Sequence, residues 1–215
     1  MVNQMIKVVI ADDHPLIREG IKKVVNGEID LEIIGEAENG GELLTILEEK
    51  KPNIVVLDIT MPGKSGLELL KQLNYLYPNL PVLVLSIHSE ERFALRALKA
   101  GAYGYLTKTS ISEELIKAIR KITKEKRRYI TPKVAEQLAS QVDISKEGPL
   151  HEKLSDREFE VLRLIALGKD VNVIADELSL SPQTIHTYRK RIKEKMNISS
   201  NVEMTRYAID NNLIE

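Results

Sequence analysis

The first 124 residues alternate five times between a short apolar run and an amphipathic stretch. The apolar runs lie near residues 5–11, 31–37, 53–58, 81–86 and 102–106, and the amphipathic stretches near 14–26, 40–50, 65–76, 90–100 and 111–124. Short apolar runs bounded by turn residues are typical of buried parallel strands, and Leu67, Leu70 and Leu73 keep helical spacing. This pattern predicts a doubly wound α/β domain built on a five-stranded parallel sheet.

Acidic side chains follow two of these predicted strands. Asp58 closes the third apolar run, and Asp12 and Asp13 follow the first. Because ligands of open α/β sheets bind at the carboxyl ends of the strands, we expect the three carboxylates to lie close together. Carboxylates this close repel one another strongly unless a cation neutralises them, so the sequence predicts a magnesium site. Taken alone, Asp12 and Asp13 also fit a helix cap before Pro15.

Composition excludes several classes of protein. The 215 residues include no cysteine, which excludes disulfides and thiolate metal sites. No apolar stretch approaches the roughly 20 residues that span a bilayer. The first strand begins within about five residues of the first methionine, which leaves no room for a signal peptide. A cytoplasmic protein without membrane contact is therefore expected.

The last quarter of the chain has the pattern of four helices. Ser155 and Glu158 have the spacing of a capping box, and Ser181 followed by Pro182 is typical of a helix start. The last three helices are expected near 171–178, 181–196 and 202–211. A short helix, a tight turn and a longer basic helix predict a helix-turn-helix.

Charge is concentrated on the third of these helices. Residues 154–215 carry nine Lys/Arg and ten Asp/Glu, yet five of the nine bases fall within 189–195. A local basic stripe in a near-neutral domain indicates either a phosphate-binding surface or a solvated helix face.

Residues 125–153 lose the periodicity of the flanking regions. They begin with Lys126-Arg127-Arg128, contain a polar stretch at 143–149, and favour a short helix near 132–142 that starts at Pro132. The expected organisation is a domain over 1–124, a linker over 125–150 and a second domain over 151–215.

Both halves resemble the two-component response regulators of the NarL/FixJ group, which join a receiver domain to a LuxR-type helix-turn-helix. In the first half the resemblance rests on Asp12-Asp13-His14-Pro15, Leu57–Gly63, Ser86 and Gly101–Lys108. In the second half it rests on Leu154–Glu158, Ile174-Ala175, Leu180-Ser181, Thr184-Ile185 and Lys195-Met196. The resemblance implies a flavodoxin-like receiver with strand order 2-1-3-4-5, followed by a small all-α domain.

The resemblance also implies a phosphoryl-transfer site. Asp58 would accept a phosphoryl group from a sensor histidine kinase. Asp13 and Asp58 would bind Mg²⁺ directly, Asp12 through water, and the backbone carbonyl of Thr60 would complete the protein ligands. Hard oxygen ligands suit Mg²⁺. His14 is not expected to bind metal, because it lies past the strand and no second histidine accompanies it.

Three further residues gain roles from the resemblance. Lys108 would place a positive charge on a phosphoryl oxygen. The Ser86 hydroxyl would move to bond the phosphoryl group, and Tyr105 would then rotate inward as the switch. Alone, these residues would be a surface lysine, a strand-terminal hydroxyl and a half-buried aromatic side chain.

The resemblance places the DNA contacts on the helix that starts at Ser181. The residues expected to contact bases are His186, Thr187 and Lys190, and those expected to contact phosphates are Arg189, Arg191 and Lys193. Ile185 is expected in the core, and Tyr188 either in the core or at a sugar. Double-stranded DNA would be bound by a homodimer when the receiver is phosphorylated.

Two other classes of function compete with this interpretation. A magnesium-dependent phosphatase would also place a nucleophilic Asp58 on a strand tip, but it usually has a second aspartate where this chain has Thr60. The third class is a regulator that works without phosphorylation, through protein contacts or constitutive dimerisation. The sequence favours a phosphorylation-controlled transcription factor, whose catalysis is confined to its own phosphorylation and dephosphorylation.

Overall fold

The computed structural model describes residues 5–61, 65–87, 90–140 and 149–214, and it divides the chain into two compact units, Met1–Gln141 and Val142–Glu215. None of the described helices is long and apolar enough to cross a membrane.

The first unit is built on one five-stranded parallel sheet. The strands are β1 (Ile6–Ala11), β2 (Leu31–Ala37), β3 (Ile54–Asp58), β4 (Val82–Ser86) and β5 (Gly104–Thr107), in the order β2-β1-β3-β4-β5. All neighbouring pairs are parallel. The predicted doubly wound sheet and its strand order are confirmed.

The helices of the first unit alternate with the strands as the sequence predicts. They are α1 (Pro15–Asn26), α2 (Gly40–Glu49), α3 (Gly66–Leu76), α4 (Glu90–Lys99), α5 (Ile111–Lys124) and α6 (Pro132–Ser140). Every residue of β3 and β4 is buried, because helices cover both faces of a parallel sheet. One cluster of apolar side chains joins β1, β3 and β4 to α1 and α5.

The segment after α5 pairs with the edge of the sheet. The Tyr129 N–H donates to the Tyr103 carbonyl at 2.7 Å, and Tyr129 forms a parallel bridge with Gly104 of β5. Farther along, Val134 of α6 is buried, and α6 packs against α4. Part of the expected linker therefore lies on the first unit, and the domain boundaries stay predictions. Residues 141–148, which include most of the polar stretch, lie outside the described residues.

The second unit is helical, as expected. Its helices are α7 (Asp156–Ala166), α8 (Val171–Glu177), α9 (Pro182–Met196) and α10 (Asn201–Asp210). The capping box forms: the Ser155 Oγ accepts from the Glu158 N–H and the Glu158 carboxylate accepts from the Ser155 N–H. The Ser181 Oγ caps α9 by accepting from the Thr184 N–H at 3.1 Å. These caps satisfy backbone donors that helix starts leave free.

We predict that Gly104→Ala loosens residues 129–140 from the sheet without unfolding it. A Cβ at Gly104 would lie 3.1 Å from the carbonyl oxygen of Tyr129 and 2.9 Å from Leu83 Cδ1, so the neighbouring strand segment must move. Hydrogen exchange should become faster at residues 129–140 and stay unchanged in β1 and β3.

Gly20→Ala is the matched control. A Cβ at Gly20 meets nothing within 4 Å, and alanine favours the helix by about 0.5–1 kcal/mol. Equal exchange rates at residues 129–140 in wild type and Gly104→Ala would contradict the docking of this segment on β5.

Candidate functional site

Acidic side chains converge at the carboxyl ends of β1 and β3. The two strands pair in register, with Ala11 opposite Leu57, so the residues that follow them share one rim of the sheet. One ligand atom each from Asp12, Asp13, Asp58 and His14 lies within 4.8 Å of all the others. Asp12 and Asp58 are each 1% exposed.

Lys108 joins two of these carboxylates from the end of β5. Its Nζ lies 2.7 Å from Asp58 Oδ2 and 2.8 Å from Asp12 Oδ2, and its side chain is 6% exposed. Burial by itself lowers the pKa of Lys108, but the bonds to Asp12 and Asp58 outweigh burial and raise the pKa above its usual value. Lys108 is therefore positively charged at neutral pH and offsets part of the acidic charge.

The second oxygen of Asp58 is held by Thr60. The Thr60 N–H donates to Asp58 Oδ1 at 2.7 Å, and the Thr60 Oγ1 donates to the same oxygen at 2.6 Å. Thr60 and Lys108 together orient the Asp58 carboxylate with one partner on each oxygen.

Two buried oxygens in this pocket lack a well-directed hydrogen bond. Asp12 Oδ2 and Asp13 Oδ1 receive none from the described residues, although Lys108 and His14 nitrogens lie near them. Unsatisfied buried carboxylate oxygens cost free energy, and a hard cation coordinated by oxygen removes that cost. The donor set thus fits Mg²⁺.

His14 lies in the acidic cluster although it follows the end of β1, and the expectation that it does not bind metal stays a prediction. Its Nδ1 is 2.8 Å from Asp13 Oδ1 and 3.3 Å from Asp12 Oδ1, and its side chain is 57% exposed. The turn places it there, because the His14 N–H donates to Asp12 Oδ1 at 2.8 Å. His14, not either aspartate, is the N-cap residue of α1.

Sequence reasoning missed Arg18. Its Nη1 donates to the main-chain carbonyl of Asp12 at 2.7 Å, and its Nη2 forms an ion pair with Glu38 at 2.5 Å. Arg18 thus ties the loop that carries the aspartates to the end of β2. No motif around Arg18 signals this contact in the sequence.

Ser86 lies on β4, which is next to β3, and Tyr105 lies on β5, one strand farther toward the edge of the sheet. Leu85 pairs with Asp58, so Ser86 is one residue farther along the same rim, and it is fully buried. Tyr105 is only 2% exposed in this structure. A switch at Tyr105 would therefore start from an already buried ring, and the predicted rotation stays a prediction.

In the second unit, α9 has one buried face and one exposed face. Ile185, Ile192 and Met196 are buried, and Tyr188 is half-buried. The residues predicted to contact DNA divide into two groups: His186, Thr187, Lys190 and Arg191 are exposed, whereas Arg189 and Lys193 are half-buried. The Lys193 Nζ also donates to the Ser199 carbonyl at 2.7 Å.

The exposed face of α9 includes one residue that sequence reasoning missed. Gln183 is exposed one turn before Thr187, whose Oγ1 donates to the Gln183 carbonyl at 3.0 Å. The helical spacing of Gln183, Thr187 and Lys190 could have identified it. Residues near the start of such a helix contact base edges in helix-turn-helix proteins.

Comparison with known proteins agrees with both units. Residues 8–120 match the response regulator receiver domain, and residues 152–208 match the luxR family of bacterial regulatory proteins. The chain is 39% identical over 212 residues to response regulator GacA of Pseudomonas protegens, covering 98% of this chain and 99% of GacA. The chain belongs to the NarL/FixJ group of response regulators.

Other members of the group are similar over nearly the whole chain. Response regulator UvrY of Escherichia coli is 34% identical over 210 residues, covering 97% of this chain and 96% of UvrY. The structure of RcsB from Salmonella enterica serovar Typhimurium, bound to promoter rprA in the presence of the phosphomimetic BeF3⁻, is 26% identical. It superposes with a TM-score of 0.66 over 94% of this chain and 98% of RcsB.

In this response regulator an ion pair between the exposed Lys195 and the buried Glu158 joins the end of α9 to α7. The Lys195 Nζ lies 2.6 Å from Glu158 Oε2, and Glu158 is 2% exposed. Burial alone raises the pKa of Glu158, but the hydrogen bonds from Lys195 and Ser155 outweigh burial and lower the pKa. Lys195 is therefore paired within the second unit, so α9 has one fewer unpaired cation.

We predict that Glu158→Gln destabilises the second unit by about 1–3 kcal/mol at pH 7, because a charged hydrogen bond is lost from a buried site. Since the folded pKa of Glu158 is depressed, its contribution is present above the usual value of 4.5 and is lost as pH falls below it. Urea-dependent hydrogen exchange of α7 and α9 at pH 7 and near pH 4 measures both effects.

Glu194→Gln serves as the control in α9. Glu194 is 62% exposed and lies 3.9 Å from Lys190, so its loss should change stability by less than about 0.5 kcal/mol. A Glu158→Gln variant as stable as Glu194→Gln would show that the Lys195–Glu158 ion pair does not hold α9 against α7.

Proposed function

We propose that this response regulator is phosphorylated on Asp58 by a sensor histidine kinase and thereby changes its affinity for DNA. The observation that carries the proposal is the pair of contacts on Asp58: Lys108 on Oδ2 at 2.7 Å and Thr60 on Oδ1. A carboxylate held this way is oriented at the rim of the sheet, with one partner on each oxygen.

Each side chain in the pocket has a part in the transfer. An Asp58 oxygen attacks phosphorus, and the bond from phosphorus to the kinase histidine breaks as the new bond forms. Lys108, positioned between Asp12 and Asp58, offers its charge to a phosphoryl oxygen. The Thr60 hydroxyl lies beside the attacking carboxylate, so it also faces the site of hydrolysis.

A divalent cation is part of the proposal. Asp13 and Asp58 would hold Mg²⁺ directly, with Asp12 through water and the Thr60 carbonyl as a further ligand. Bound there, Mg²⁺ would supply positive charge that offsets the carboxylates and the incoming phosphoryl group. The two carboxylate oxygens without well-directed hydrogen bonds support this assignment. Catalysis would be confined to the phosphorylation and dephosphorylation of Asp58.

Signal transmission would use β4 and β5. The Ser86 hydroxyl would bond the phosphoryl group. Ser86 pairs with Thr107 of β5, and Tyr105, two residues earlier on the same strand, would then rotate. We propose that this change favours a homodimer, whose two helix-turn-helix units bind two half-sites of double-stranded DNA. Such a regulator works in the cytoplasm, where the DNA is.

We place base recognition on the exposed face of α9. His186, Thr187 and Lys190 would contact bases, with Gln183 beside them. Arg191 would contact a phosphate, and Arg189 and Lys193 would contribute from the half-buried flanks. The four candidates for base contacts are all exposed, and this supports their assignment because groove contacts require side chains that leave the domain surface.

We predict that Asp58→Asn abolishes phosphorylation and leaves the fold intact, because the amide lacks the nucleophilic oxygen. Labelled acetyl phosphate with Mg²⁺ should phosphorylate the wild type and Asp176→Asn, which changes an exposed aspartate of α8, but not Asp58→Asn. Label retained by Asp58→Asn would contradict the assignment. Repeated hydrolysis of phosphate esters, without a stable phosphoprotein, would favour the phosphatase alternative.

For α9 we predict that two substitutions separate base from phosphate contacts. Lys190→Ala should cost about 1–3 kcal/mol on the preferred duplex and relax the preference at one base pair. Arg191→Gln should weaken binding to all duplexes alike and lower the salt slope by about 1. The duplex is selected from a random library with wild-type protein, and affinity is measured by fluorescence anisotropy.

The two variants act as controls for each other. If both change the sequence preference, or both change only the salt slope, the division of roles on α9 is wrong.

A further inference from the structure

The exposed turn after α5 carries three consecutive positive charges. Lys126, Arg127 and Arg128, which we call the basic turn, are all exposed. None of them forms an ion pair with another residue in the described parts of the chain. Three unpaired cations in a row repel one another, so this surface is suited to a polyanion.

The basic turn is anchored at both ends. On one side the Glu125 N–H donates to the Lys121 carbonyl at 3.2 Å, which closes α5. On the other side Tyr129 is bonded to Tyr103 at 2.7 Å, and the Lys121 Nζ lies 5.6 Å from the centre of the Tyr129 ring. A ligand therefore meets cations whose backbone is already ordered, which lowers the entropy cost of binding.

The backbone of the turn is also unusual. Lys126 has φ of 56°, in the left-handed region that residues other than glycine seldom adopt. This conformation reverses the chain between α5 and Tyr129, so that the basic turn stands at the end of the helix.

The DNA-binding unit itself offers few free cations. Residues 154–215 carry nine Lys/Arg against ten Asp/Glu. On α9, Lys195 is paired with Glu158 at 2.6 Å, and Lys193 donates to the Ser199 carbonyl. Because DNA affinity at physiological salt depends on how many phosphates a protein neutralises, additional cations elsewhere on the chain would raise it.

We propose that the basic turn is a second, sequence-independent phosphate-binding surface for the duplex held by the helix-turn-helix unit. The inference rests on the proposed DNA-binding function. Lysine and arginine side chains both neutralise phosphate charge, and the turn supplies three of them in a row. Since both units belong to one chain, binding of the second unit raises the phosphate concentration around the first.

The test is the salt dependence of DNA binding by the full chain. Lys126, Arg127 and Arg128 are changed together to Gln, and affinity for the duplex preferred by wild type is measured between about 50 and 200 mM salt. BeF3⁻ and Mg²⁺ are present throughout. The plot of log affinity against log salt should become shallower by up to about 3 units, at roughly 0.9 per phosphate contact. The ratio of affinities for preferred and random duplexes should stay the same.

Two control variants separate the basic turn from positive charge elsewhere on the same unit. Lys7, Lys23 and Lys51, three exposed lysines of that unit, are changed together to Gln, so that net charge falls equally. This control should keep the wild-type slope. In the second control the basic turn is rebuilt by Lys126→Arg, Arg127→Lys and Arg128→Lys, which keeps its charge and should also keep the slope.

Distinct outcomes overturn the inference. It fails if the neutralised turn keeps the wild-type salt slope, or if both triple Gln variants lower the slope equally. It also fails if the charge-preserving variant has a shallower slope than wild type, because the arrangement of the side chains and not their charge would then determine DNA binding. Wild-type protein that binds no duplex would instead contradict the proposed DNA-binding function.

Discussion

Electrostatic repulsion among the carboxylates at the sheet rim is the constraint on which the first unit depends. Two like charges about 4 Å apart repel by about 4 kcal/mol at the effective dielectric of a protein surface, and Asp12 and Asp58 are both buried. Lys108 offsets part of this repulsion, because its ammonium group contacts both carboxylates. Asp13 keeps a buried oxygen without a well-directed hydrogen bond from any described residue. The rim therefore brings together three carboxylates and one lysine, and this surplus of carboxylates suits a divalent cation.

Much of this arrangement follows from local patterns and one topological rule. Apolar periodicity predicts the strands and helices, because burial on both faces of the sheet leaves a continuous apolar run in each strand. The rule that strand ends share one rim predicts that Asp12, Asp58 and Lys108 meet. Capping signals at Ser155 and Ser181 predict two helix starts correctly, since caps depend on neighbouring residues.

Other contacts could not be predicted, because they depend on the backbone or on distant residues. His14 enters the acidic cluster through the geometry of one turn. Tyr129 joins β5 through main-chain atoms, so its side chain carries no signal of the pairing. Lys195 belongs to the basic stripe at 189–195 in the sequence, yet it pairs with Glu158, which is 37 residues away. A count of charges in the sequence therefore overstates the number of unpaired cations on α9.

Phosphorylation at Asp58 depends, in the proposed mechanism, on the affinity of the rim for a divalent cation. Calorimetric titration of Mg²⁺ into the full chain measures it, with Asp13→Asn as the comparison. We predict one ion per wild-type chain, and binding weaker by about tenfold or more in Asp13→Asn, because an amide oxygen replaces a charged ligand. Equal binding by the two proteins, or no binding by the wild type, would contradict the claim that the carboxylates at the rim form a cation site.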